Sequence, residues 1–333
     1  MSREKKFIND PKKISSEALA GYLFATSDYL HAEGSNHVIV ANEFSPDKVG
    51  ILIGGGIAAE PLFMGYVGRN MADCAVIGNI NAAPAPDLIL KGTQAINRGK
   101  GVLYIYNNYP GDILCFDMAA ELAEEEGIET RTVRNCDDVG SAPSDKRPER
   151  RGIVGAIQII KVAAGAASTS MDLDGVFQVA RRAGEQTSTL IVAAKSGSYL
   201  ENGEMMFNLA DDEIEIGVGF HGEPGLGRQN MKSADEIVDV VLDTLLEDLH
   251  CKSGDRVAVL VNSMGATSIT ELFIINNRVT QTLPERGIEL HRSDIGFFYT
   301  SQNMSGFSIS MMKLDDELAV YYDLPAYSFS YKR

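Results

Sequence analysis

Basic residues are scarce in this 333-residue sequence: 30 Lys and Arg stand against 46 Asp and Glu, a formal net charge of −16. Nucleic-acid binding draws much of its affinity from Lys and Arg displacing counterions, so a field of this sign argues against direct contact with DNA. Cysteine is scarce as well. Cys74, Cys115, Cys136 and Cys251 are scattered and form no C-x-x-C pair, which argues against zinc-site spacing and leaves them to be read as buried thiols. No apolar run approaches the roughly 18 residues needed to span a bilayer. The segment from Met1 to Lys13 is polar and lacks the apolar stretch of a secretory signal, so a cytosolic protein without membrane partners is expected.

What is present is ordinary core-forming material, 44% apolar and 23% charged, in a chain long enough for two domains. From Lys48 onward short apolar runs alternate with amphipathic ones, the pattern of a parallel sheet covered by helices. Val49 to Ile53, Ala75 to Ile77, Val102 to Tyr106 and Ile128 to Val133 read as strands. Pro86 to Asn97 and Asp112 to Glu126 read as helices, the second ended by Gly127. Ala142 to Arg151 reads as a surface connection whose Lys146, Arg147, Arg150 and Arg151 form a solvated loop rather than an anion patch. Helices Ala156 to Ala167 and Leu173 to Ala183 follow, and a domain boundary is placed after residue 186.

The second half has a different texture. Strand-like Thr189 to Ala194, Glu213 to Val218 and Arg256 to Val261 are interleaved with helices Ala234 to Leu249 and Ile269 to Arg278, and two more apolar runs follow, Ile288 to Phe298 and Phe307 to Leu314. The expected fold class is α/β with two domains: a parallel-sheet α/β domain over 1–186 and a mixed α+β domain over 187–333.

Three places carry candidate chemistry. Ile51 to Gly56 is an apolar strand running into Gly54, Gly55 and Gly56, either a tight turn or a loop whose backbone approaches a ligand; it matches neither a dinucleotide fingerprint nor a P-loop. Asn107 to Asp112 lies between a strand and a helix, where open parallel sheets bind ligands, and Asp112 reads equally as a helix cap. In Gly217 to Gly225, glycines surround His221. That imidazole is either a loop histidine or a nucleophile toward a ketone, with Glu223 or a backbone carbonyl fixing its tautomer. The other histidines carry less, and His250 ends a helix where a cation is favourable.

Several segments together carry a resemblance: FINDPKK from Phe7, GYVGRNM from Gly65, APAPD from Ala83, NNYPGD from Asn107, AAELAEEEGIE from Ala119, RRG from Arg150, GVGFHGEPG from Gly217, VNSMGATSITELFI from Val261 and MSGFSIS from Met304. In order and spacing they resemble, over nearly the whole chain, the dihydroxyacetone-binding subunit of bacterial dihydroxyacetone kinases, the DhaK family. The resemblance implies a two-domain DhaK-like architecture. It implies that the histidine of HGEPG, His221, attacks the sugar carbonyl to give a hemiaminal, that Asp112 contacts a substrate hydroxyl, and that Gly55 and Gly56 offer backbone to the substrate. No cofactor and no metal are expected.

Departures from the family pattern bear on function. Where family kinases continue GGG as SGHEP, with a second histidine over the substrate, this chain reads Ile57-Ala58-Ala59-Glu60-Pro61. Where they place a substrate-contacting lysine, it has Asn107, and the segment usually written GDVFTSPSPD reads Gly78 to Asp87 with alanine or amide in place of its hydroxyl and acidic residues before Asp87. A positioned acid or base is commonly worth about 10²–10⁴-fold in rate, so the loss points away from kinase activity. The chain looks like the DhaQ-type paralogues, which act as coactivators of a TetR-type transcription factor. The expectation is therefore a non-enzymatic, homodimeric dihydroxyacetone receptor with such a factor as partner. The alternative is a working kinase subunit for dihydroxyacetone or a related keto-sugar.

Overall fold

The computed structural model describes residues 3–45 and 47–333, so the first two residues of the polar opening segment lie outside the described residues. The chain forms two compact units. One comprises Phe7–Asn135, Ala156–Glu185 and Leu318–Arg333; the other comprises the residues up to Lys6, Cys136–Gly155 and Gln186–Glu317.

The first unit is built on six strands: β1 (Leu30–Ala32), β2 (Val38–Ala41), β3 (Gly50–Gly55), β4 (Cys74–Ile77), β5 (Val102–Asn107) and β6 (Thr130–Asn135). Their order is β1-β2-β4-β3-β5-β6, with β4, β3, β5 and β6 parallel and the β1–β2 hairpin antiparallel at one edge. Alternate residues Val102, Tyr104 and Tyr106, with Leu52, Cys74 and Val76, face Ile89 and Ile96 of α2 (Pro86–Ile96) and Phe116 and Ala119 of α3 (Pro110–Glu125), as period-2 alternation requires. The opposite face is covered by α4 (Ala156–Ala167) and α5 (Leu173–Glu185). Every residue of α4 is buried, which suits a helix apolar on all sides. Its single Lys161 is satisfied by donating to the Tyr321 carbonyl at 3.1 Å, one of the contacts that assign the chain's last segment to this unit.

The second unit has strands β7 (Thr187–Lys195), β8 (Glu213–Ile216), β9 (Gly227–Asn230), β10 (Arg256–Ser263), β11 (Glu289–Gly296) and β12 (Ser305–Leu314), ordered β9-β8-β7-β12-β10-β11. Only the β10–β11 pair is parallel. One face packs Leu190, Val192, Val257, Val259, Ile309 and Met311 against α6 (Ala234–Asp248) and α7 (Ile269–Glu285). Both helices begin with a full capping box, Ser233 with Glu236 and Ser268 with Glu271, which satisfies amide groups that a helix start leaves open.

The division differs from a single cut after residue 186. Gln186 does begin a stretch of the second unit, but Cys136–Gly155 belongs there too. The reason is side-chain pairing. Arg150, expected on a solvated loop, is fully buried, forks onto both carboxylate oxygens of Asp248 at 2.6 and 2.9 Å, and donates to the Ala142 carbonyl. Arg147 also approaches Asp248, and Arg151 pairs with Asp138, so of the four basic residues only Lys146 is exposed. The cysteines also differ from expectation: all four are free thiols, but only Cys74 is buried and the others are half-buried.

Candidate functional site

At the carboxyl ends of the parallel strands, the first unit gathers Gly55, Gly56, Asn107 and Asp112. β3 ends in the glycine run, where packing is close: a Cβ on Gly55 would stand 2.6 Å from the Phe63 ring, too near to fit without a shift, and one on Gly56 would stand a tight 3.1 Å from the Asn79 carbonyl and the Ala82 amide. The glycine loop thus lies against residues 79–82. Gly111 comes next in line, its Cβ position 3.7 Å from the Ala83 methyl. Ala82 is exposed, and Ala59, just beyond the glycines, is half-buried.

Asn107 ends β5 opposite Asn135 at the end of β6; it is buried and accepts from the Asn135 amide at 2.9 Å. Its own carbonyl accepts from the Tyr109 N–H at 2.8 Å, turning the chain into α3. Asp112 does not cap that helix. The N-cap is Tyr109, Pro110 opens the helix, and Asp112 sits two residues further, buried within the first turn, where the positive end of the helix dipole favours its charge.

His221 belongs to the second unit, in a loop after β8. Phe220 anchors it, fully buried and stacked on Tyr299 at 4.1 Å, with its carbonyl accepting from the Ser301 hydroxyl. Tyr299 is in turn held by Asn262 at the end of β10, whose side chain donates to the Tyr299 carbonyl and accepts from the Phe298 and Tyr299 amides. The apolar anchor ends at residue 220. His221 is half-exposed, its side chain 30% accessible.

A carboxylate holds the imidazole from behind. Glu223 accepts from the His221 backbone N–H at 2.8 Å with one oxygen and faces Nδ1 at 3.4 Å with the other. Burial opposes ionisation of Glu223, but the hydrogen bonds and charge of His221 outweigh it and carry its pKa down to about 2. Beyond it, Arg151 lies 3.9 Å from Glu223 and 2.8 Å from Asp138. Sequence reading had no access to this: residues 138, 151 and 223 are joined only by the fold, and the one local signal, Arg150-Arg151-Gly152, reads as a solvated charge cluster. Two of the remaining histidines are engaged structurally, His37 with the Ile77 carbonyl and His31 with Asn42.

The Dak1 domain model matches residues 20–329. Among curated proteins the chain is 40% identical over 323 residues to a PTS-dependent dihydroxyacetone kinase 2 dihydroxyacetone-binding subunit, DhaK, of Listeria innocua, covering 96% of this chain and 97% of that one. It is 36% identical to the PEP-dependent DhaK subunit of Escherichia coli, covering 97% and 98%. Among solved structures it resembles the dihydroxyacetone kinase operon co-activator Dha-DhaQ, with a TM-score of 0.88 and 28% identity over 96% of this chain and 98% of that one. It also resembles the dihydroxyacetone kinase of C. freundii, with a TM-score of 0.88 and 27% identity over 99% of this chain and 60% of that one.

Proposed function

This chain belongs to the Dak1 family, as a DhaK-family protein close to DhaQ, and from that membership we propose that it is a dihydroxyacetone receptor, carrying the sugar on His221, that acts as coactivator of a TetR-type regulator. The observation that carries this reading is the setting of His221: a half-exposed imidazole whose Nδ1 faces an ionised carboxylate. With the Nδ1 proton donated to Glu223, Nε2 bears the lone pair. In the capture step Nε2 bonds to the carbonyl carbon and the C=O π pair moves onto oxygen, which takes up a proton. The Nδ1 proton is released in balance, leaving a neutral hemiaminal. A covalent bond suits a ligand of only about six heavy atoms, because non-covalent binding energy per atom has a ceiling.

Group transfer is less well provided for. Ala59 stands where the family kinases have a histidine, and a methyl group moves no proton. Asn107 is an amide engaged with Asn135 where they have a lysine. The test of capture is carbon NMR with dihydroxyacetone labelled at its carbonyl: the ketone signal should give way to a protein-bound hemiaminal carbon, and the new signal should be absent in His221→Ala. A bound carbon that survives that substitution sinks the reading.

A second reading is favoured by the names of the relatives, most of which are kinase subunits. In it the protein is a substrate-binding kinase subunit that uses Asp112 without a second histidine. Mixed with a DhaK-partner nucleotide subunit and its phosphoryl donor, the protein should form dihydroxyacetone phosphate at the background rate. Turnover at the rate of a kinase subunit would establish the second reading instead.

A further inference from the structure

We propose that Arg151, held by Asp138, is a positioning residue that sets the orientation and tautomer of His221; this rests on the reading of His221 as the nucleophile.

The argument begins with the side chain's own support. Arg151 Nε donates to Asp138 Oδ2 at 2.8 Å, and Asp138 is fully buried and also accepts from the Gly140 N–H at 3.0 Å. Asp138 lies in a segment bridged to Thr189 of β7, so the guanidinium is mounted on the sheet rather than on a free loop. Its Nη1 stands 3.9 Å from Glu223 Oε2, the oxygen that already accepts from the His221 N–H at 2.8 Å. With that oxygen pinned from two sides, the direction of the other is set, and it is the other, Oε1, that faces Nδ1. The link from Arg151 to Glu223 is charge attraction across a gap longer than a hydrogen bond, in a partly buried place where such attraction is weakly screened.

A separate observation shows that room is kept for this pair. Gly219 is not among the residues with left-handed backbone, so conformation does not demand glycine there. A Cβ at that position would lie 2.3 Å from Glu223 Oε2 and 2.6 Å from Arg151 Nη1. Glycine here leaves the carboxylate and the guanidinium in place; a side chain would have to displace their ends.

Supporting partners of this kind, when removed, typically cost ten- to a hundredfold where they orient a histidine on a metal, and the same geometry is asked of His221 here. The experiment uses the full chain, without sugar, with nitrogen-labelled imidazole read by NMR at pH 8; the His221 signals are those missing from His221→Gln. Wild type should show Nδ1 as the protonated nitrogen. Arg151→Ala should mix the tautomers and slow formation of the carbonyl-carbon adduct by about tenfold, Asp138→Asn should act in the same direction, and Arg151→Lys should restore part of both. A folded Arg151→Ala protein with wild-type tautomer and adduct rate overturns the proposal. Should Arg151→Ala fail to fold, wild-type behaviour in Asp138→Asn and Arg151→Lys overturns it equally. If wild type forms no adduct, the receptor reading falls on its own, while the tautomer signals still decide the role of Arg151.

Discussion

The two places that carry candidate residues are built in opposite ways. At the strand ends of the first unit, backbone and small side chains predominate, Gly55, Gly56, Ala82, Ala83 and an Asn107 paired to another amide, with Asp112 adding a carboxylate in the first turn of α3. Around His221 the wall is ionic, with Glu223, Arg151 and Asp138 in sequence behind the imidazole. A site that held sugar and moved a phosphoryl group would need proton-transfer groups in the first region as well as the nucleophile in the second. On the reading proposed above, capture and transfer are separable, because they would draw on different residues in different parts of the chain.

The largest effect that sharpens this comparison is at the nucleophile. His221→Ala should abolish the covalent adduct, measured by carbonyl-carbon NMR, and abolish any sugar response of a TetR-type partner in a reporter assay, while the fold survives because the side chain is half-exposed and outside the apolar clusters. A reporter that still rises with dihydroxyacetone would place sensing elsewhere.

Next in size is Arg150→Ala. It removes the forked partner of Asp248, whose carboxylate is almost fully buried and is held below the ordinary carboxylate range against burial by Arg150, Ser188 and Arg147. Breaking a buried pair from one side costs about 3–5 kcal/mol, so chemical denaturation should show a loss of that order. The contrast is with Lys146→Ala, a neighbour in sequence that is exposed and should fall within about 0.5 kcal/mol of wild type. Equal effects from the two would return the segment to the solvated loop its composition suggests.

That pair also shows where sequence reading stops. The alternation of apolar runs placed β3, β5 and the helix α2 between them, because a buried parallel strand and an amphipathic helix each write their period into adjacent residues. The β1–β2 hairpin escaped, since strands of three and four residues carry too short a period. Helix α7 runs seven residues past Arg278, through Pro284, because Leu283 and Thr282 are buried beneath that turn. Of the candidate site, Gly55, Gly56, Asn107, Asp112 and His221 were visible as motifs. Asp138 was not, and Arg151 was visible only as one of a run of charges: a residue 13 positions from one partner and 72 from the other leaves no mark in a local window.

The third prediction separates the two ends of the ionic wall by pH. Glu223 ionises near 2 in the fold against an ordinary 4.5, so the stability it contributes is complete above about 4.5 and is lost as the pH falls toward 2. Asp138 runs the other way. Burial dominates, Arg151 opposes it, and the neighbouring Asp137 carboxylate adds to it, carrying Asp138 up to about 7 from an ordinary 3.8. Between those values the unfolded chain has released its proton and the fold has kept it. Stability from this group therefore falls as pH rises through the window, by at most about 1.4 kcal/mol per pH unit, and the penalty is complete above 7. Scanning calorimetry from pH 4.5 to 7.5 should show the melting temperature of Asp138→Asn falling less steeply than that of wild type. Parallel curves would mean that Arg151 keeps Asp138 ionised throughout.

The smallest expected effect tests the first region. Asp112 is buried in the first turn of α3, and a charge there is worth about 0.3–1 kcal/mol against the helix dipole, so Asp112→Asn should cost stability on that scale. If Asp112 also accepts a hydrogen bond from a sugar hydroxyl, as the family resemblance implies, the substitution removes one charged acceptor and leaves an amide oxygen able to accept in its place. A net hydrogen bond is worth about 0.5–1.5 kcal/mol, so the affinity for the sugar should fall roughly two- to tenfold while the hemiaminal carbon remains detectable at saturating dihydroxyacetone. That outcome would keep the two regions apart in kind, one supplying the bond and the other adjusting its strength. An adduct that disappears in Asp112→Asn as fully as in His221→Ala would join them, because a carboxylate indispensable to capture must move the proton that the hemiaminal oxygen takes up, and the first region would then hold acid–base machinery after all.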